Sequence, residues 1–83
     1  MKSRKIYGTK NAVGKTVYHL RKANHMRQKD LLTQLQLRGI DICTTSLSDL
    51  EGQNRSASDL ELLALSEIFS VSLEALFIPP EKE

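Results

Sequence analysis

Apolar residues in this chain recur at helical spacing only in short runs, and each run soon meets a residue that breaks it. Val13, Val17 and Leu20 stand at i, i+4 and i+7, one stripe of a helix over 13–23. Asn24-His25 interrupts it, and asparagine readily takes a left-handed turn. Leu31, Leu32 and Leu35 mark a second helix from Gln28, stopped at Gly39, which turns left-handed without steric cost. The small polar cluster Cys43-Thr44-Thr45-Ser46 suits a helix N-terminus, and Leu47 and Leu50 give that third helix a narrow stripe before Gly52-Gln53-Asn54. Ser58 and Glu61 have capping-box spacing ahead of Leu62, Leu65 and Phe69. Ser72 caps a short fifth helix through Leu73, Leu76 and Phe77, and Pro79-Pro80 forbids its continuation. No β-alternation or internal repeat competes. The pattern predicts an all-α, compact five-helix domain over 13–78, with a basic arm over 1–12 and an acidic tail over 79–83. Its expected core is Leu31, Leu35, Leu47, Leu50, Leu62, Leu65 and Phe69, with Phe77 at a core position.

Eighty-three residues allow one domain and exclude a large two-domain enzyme or a doubly wound sheet. The longest apolar runs, Leu62 to Leu65 and Ala75 to Ile78, are four residues each. A bilayer span needs about 18, so no membrane role is expected. No apolar core of a secretory signal follows the basic start, and a single cysteine cannot form an internal disulfide. Both fit a cytoplasmic location. The net charge of +2 conceals a division. Residues 1–42 hold ten bases and two acids, a net of +8, whereas residues 43–83 hold two bases and eight acids, a net of −6. Such a split fits nucleic-acid contact, membrane contact or a dimer, and does not choose among them.

Several apparent motifs fail on spacing or context. Gly8 to Thr16 suggests a phosphate-binding loop, but five residues separate its glycines where the loop requires four, and no buried strand precedes it. Lys15 and Thr16 read instead as the exposed first turn of the first helix. Asn54-Arg55-Ser56 is a glycosylation triplet without a secretion signal. His19, His25 and Cys43 are too scattered for a metal site. The two histidines read as solvent-exposed and Cys43 as a half-buried thiol at a turn. No nucleophile, base or carboxylate pair is defensible, so neither enzyme activity nor a cofactor is expected.

Two short helices joined by a turn, followed by a polar third-helix start, form the strongest constellation. Its pieces are Val13-Gly14-Lys15, Leu20-Arg21-Lys22, Met26-Arg27-Gln28-Lys29-Asp30-Leu31-Leu32, Ser46-Leu47-Ser48-Asp49-Leu50-Glu51 and Val71-Ser72-Leu73-Glu74-Ala75-Leu76-Phe77. In this order they resemble the lambda-repressor-like helix-turn-helix family of Cro/repressor, or XRE, type. The resemblance runs from Val13 to Phe77. Arg27 stands where that family usually carries Thr or Ser, and Asp49 where Lys or Arg is common. The stretch from Gln36 to Ile42 resembles a longer-linker variant found in bacterial regulators.

The resemblance implies binding to a double-stranded DNA operator by a bacterial or phage-type regulator, most simply a repressor acting as a homodimer. Gln28, at the N-terminus of the second helix, would bond a phosphate, with Arg27 and Lys29 adding charge. The third helix would enter the major groove, offering Thr44, Thr45 and Ser46 and, one turn on, Ser48 and Asp49 to base edges. Gln53, Asn54 and Arg55 would grip the backbone beyond. The rival expectation is a helical protein-interaction module, such as an antitoxin, with a protein partner and secondary or no DNA binding. Asp49 and the uncharged start of the third helix favour it. In sequence, Asp49 and Glu51 make the reading helix acidic, with no base before Arg55.

Overall fold

Every helix but the last ends on the same backbone turn, and these turns set how the chain folds back on itself. A computed structural model describes residues 11–78. It contains α1 (Gly14–Ala23), α2 (Gln28–Leu37), α3 (Thr44–Glu51), α4 (Asp59–Phe69) and α5 (Leu73–Leu76), with no strand among the described residues. The fold is all-α. Residues 1–10 of the expected arm, the Pro79-Pro80 stop and the acidic tail lie outside the described residues.

After α2, Gly39 takes φ 85°, its N–H donates to the Gln36 carbonyl, and the Ile40 N–H reaches back to Leu35. This is the Schellman ending, in which a left-handed residue lets two amides satisfy the helix's last carbonyls. The same pair of bonds closes α1 at His25, α3 at Gln53 and α4 at Ser70, with φ values of 58°, 63° and 55°. Only α2 uses glycine. The break after α1 is therefore made by His25 rather than Asn24, and after α3 by Gln53 rather than Gly52, whose φ is −83°. In three of the four turns the next residue, Met26, Ile40 or Val71, folds back as a half-buried apolar group on the core, whereas after Gln53 it is the exposed Asn54.

The α4 start matches its spacing. Ser58 Oγ accepts the Glu61 N–H at 3.2 Å while the Glu61 carboxylate accepts the Ser58 N–H at 2.9 Å. Ser72 likewise accepts from the Ala75 N–H at 3.1 Å. Arg27 has no acceptor to offer α2, and Asp30 works from the other side, accepting the Arg27 N–H at 2.8 Å. The start of α1 is held from further back: Asn11 Oδ1 accepts the Val13 and Gly14 amides at 3.0 and 2.7 Å. Asn11, expected in the arm, is thus an integral part of the domain.

The core gathers one stripe from each helix, Val13 and Val17, Leu31 and Leu35, Leu47 and Leu50, Ala64, Leu65 and Phe69, and Leu76, together with Ile42 from the connector between α2 and α3. Several expectations need correction. Leu62 is only half-buried, and Phe77 stays 44% exposed because α5 presents Leu76 inward instead. Thr16 is buried, its hydroxyl donating to the Ile78 carbonyl at 3.1 Å, which ties α1 to the end of α5. His19 is half-buried, edge-on to Tyr18, whereas Cys43 is exposed.

Gly14 explains how closely α1 and α3 approach. A Cβ there would collide with the Leu50 carbonyl oxygen, and would lie 2.9 Å from Gln53 Cγ and 3.0 Å from the Glu51 carbonyl. Asn11 completes the same joint by donating to the Leu50 and Arg55 carbonyls at 3.0 and 2.8 Å.

Candidate nucleic-acid interface

Helix α3 owes its placement to a charge network beneath it. Arg21 lies on the stripe of Val13 and Val17, and Glu51 on that of Leu47, so packing those stripes inward carries both charges into the interior. There they pair: Arg21 Nε and Nη2 donate to Glu51 Oε2 and Oε1 at 2.8 and 3.0 Å. Their side chains are 8% and 5% exposed. Arg21 Nη1 also donates to the Met26 carbonyl, at 3.0 Å, in the turn that leads to α2. Gln28, in the first turn of α2, donates from Nε2 to Glu51 Oε1 at 3.1 Å. One carboxylate thus joins α1, the start of α2 and the end of α3. A paired, multiply bonded charge escapes the large penalty of an isolated one in low dielectric.

The expected acidity of α3 is reduced accordingly. Glu51 faces inward and is neutralised by Arg21, leaving the half-buried Asp49 as the helix's other acid. Thr44, Thr45 and Ser48 are exposed and Ser46 half-buried, and none of these four hydroxyls is engaged in a hydrogen bond. They form a neutral, donor-and-acceptor surface on the first turns of a helix whose opposite face holds Leu47 and Leu50.

The other expected residues divide. Lys29 is exposed on the first turn of α2. Arg27 is exposed but pairs with Asp30 at 3.2 Å. That side-chain bond, with the backbone bond from the same residue, holds the Asp30 carboxyl below its ordinary range; Asp30 in turn holds the Arg27 guanidinium above its own. Asn54 is exposed, whereas Gln53 is half-buried and donates to the Asn11 carbonyl at 3.1 Å.

Arg55 points into the structure. Its guanidinium holds both Glu61 oxygens at 2.9 and 2.8 Å, and Nε donates to the Ser46 carbonyl at 2.9 Å. It fastens the start of α4 to the start of α3. Burial pushes the Glu61 carboxyl up, but the bonds from Arg55 and Ser58 outweigh it and hold the group below the ordinary carboxylate value.

Arg21, Glu51 and Glu61 were therefore missed as organising residues, although each announces itself by being a charge on an apolar stripe. No group of three potential metal ligands occurs among the described residues, and none of their helices is long and apolar enough to cross a membrane. No protein-family model, curated protein or solved structure matches the chain.

Proposed function

We propose that this chain binds double-stranded DNA as a helix-turn-helix regulator, with α3 in the major groove. The observation that carries the reading is the outer face of α3. Thr44, Thr45 and Ser48 offer unbonded hydroxyls on a helix fixed against α2 by the Arg21–Glu51–Gln28 network. A hydroxyl donates or accepts as a base edge requires, and a threonine methyl fits a thymine methyl. The first turn of α2 presents backbone amides without helical acceptors, with Lys29 beside them, as a phosphate site. Because Gln28 Nε2 is already committed to Glu51, its role is to hold that turn in place rather than to supply a free amide. Base reading comes from neutral groups, and attraction to the duplex comes from the basic half of the chain.

An operator read by two such modules needs two α3 helices about 34 Å apart, the repeat of the major groove. The deciding experiment measures affinity for duplex fragments at graded salt. Each phosphate neutralised releases counterions, so four contacts should cost about a hundredfold between 50 and 200 mM salt. Thr45→Ala should then lower affinity for the selected sequence, and Lys29→Ala should lower it for all duplexes alike. A flat salt response, or full binding by both variants, overturns the proposal.

A further inference from the structure

Helix α4 buries Glu61, Leu65 and Phe69 against the core, yet its opposite side carries leucines as well. Leu60 is 63% exposed and Leu63 48%. At 3.6 residues per turn, positions 60, 63 and 67 fall within about 60° of one another, a stripe about 10 Å long. Nothing among the described residues covers it. Its two ends differ in charge. The N-terminal end has the exposed Asp59, while the C-terminal end has Glu67 joined to Arg38 at 3.5 Å, reached from beyond the end of α2.

From this arrangement we infer that the Leu60–Leu63 face of α4 is a self-association surface, and that its occupant is the same face of a second copy with the two α4 helices antiparallel. Charge selects the occupant and its direction. A parallel pair would place Asp59 beside Asp59 of the partner. An antiparallel pair with its two-fold axis beside Leu63 sets residue 59 opposite residue 67, bringing each Asp59 to the other copy's Arg38–Glu67 pair, where Arg38 serves both carboxylates. Leu60 then meets the aliphatic part of Glu67, and the two Leu63 side chains meet at the axis. A two-fold contact is self-complementary by construction, and charged rims of this kind fix its register. Leu37, 73% exposed, precedes Arg38 in the chain and adds apolar surface at the end of α2. A patch this size belongs to the small interface class, so the dimer should be weak and concentration-dependent. The inference concerns the protein alone and holds whether or not it binds DNA.

The test is sedimentation of the purified chain over a range of concentrations, without DNA, with circular dichroism confirming that each variant is folded. The native chain should pass from monomer to dimer. Leu63→Glu should weaken the dimer by about thirtyfold or more, the effect of losing a central anchor. Arg38→Asp should weaken it, and so should Asp59→Arg. The double variant R38D/D59R should recover dimerisation. Within one chain, Asp59 and Glu67 are eight residues, or about 12 Å, apart along α4, so Arg38 beside Glu67 cannot supply that rescue internally. A chain that stays monomeric at all concentrations overturns the inference. So does a dimer indifferent to Leu63→Glu, or one whose charge reversals combine without rescue. Loss of duplex binding with the dimer intact would count against the DNA reading only.

Discussion

Replacing Arg21 with methionine keeps much of the side chain's length and apolar stem but removes the guanidinium. Three hydrogen bonds disappear, two to Glu51 and one to the Met26 carbonyl. The Glu51 side chain, 5% exposed, then retains only Gln28 as a partner. Breaking a buried ion pair by deleting one member costs about 3 to 5 kcal/mol, chiefly because the remaining charge is uncompensated. A chain of this length has a total stability on the order of 4 to 12 kcal/mol. For a domain of this size, each kcal/mol shifts the melting temperature by about 4 to 8 °C, so Arg21→Met should lower it by roughly 12 to 40 °C. Glu51→Gln should also destabilise the fold: its amide oxygen can keep two of the three bonds to Glu51, but its NH2 group faces the Arg21 Nε–H and the guanidinium loses its counter-charge. The double variant R21M/E51L should be less destabilised than the two single changes combined, by about 2 kcal/mol or more, because neither charge is left stranded. Urea unfolding followed by circular dichroism gives all the required free energies. A cost below about 1 kcal/mol for Arg21→Met, or effects that simply add, would refute the claim that this buried network holds α1, α2 and α3 together.

Gly14→Ala ought to be destabilising by about 1 to 3 kcal/mol in the same assay, although alanine normally favours a helix, because its Cβ would force α1 away from the end of α3. Asn11→Ala should lower the urea midpoint by an amount equivalent to about 2 kcal/mol, since it unbinds the first amides of α1 and two carbonyls across the α1–α3 joint. Ser70→Gly should have the opposite sign, raising stability by about 0.5 to 1 kcal/mol, because glycine relieves a left-handed residue at φ 55°. The lowered pKa of Glu61 makes its contribution to stability present above the unfolded carboxyl value, about 4.3. That contribution is lost as pH falls through the folded value, so acid titration of the native chain should show a loss that Glu61→Gln lacks.

Local chemistry determined where the helices run. The apolar stripes of α1, α2 and α4 were legible because helical period and breakers are properties of neighbouring residues. The Ser58–Glu61 box was legible because both partners lie within one turn. The Schellman endings were only partly so. Gly39 announces a left-handed turn, but His25 and Ser70 take one where the apolar residue that follows, Met26 or Val71, folds onto the core, and Gln53 takes one where its side chain bonds the Asn11 carbonyl. Phe77 was misplaced for a related reason: a four-residue helix can bury only one narrow line, and its direction is set by α4 rather than by its own sequence.

The sequence by itself also placed charges on apolar stripes, at Arg21, Glu51 and Glu61, without saying what becomes of them. Tertiary structure decided that. Packing α1 on α3 brings Arg21 to Glu51 across thirty residues of chain, and the turn before α4 brings Arg55 to Glu61. A charge taken out of water needs a partner within bonding distance, and such distances between separate helices are not encoded in local spacing. The consequence reaches the candidate interface. In sequence, α3 is an acidic helix followed by a basic loop. In the folded chain Glu51 and Arg55 are both turned inward, and the exposed face of α3 presents threonine and serine hydroxyls.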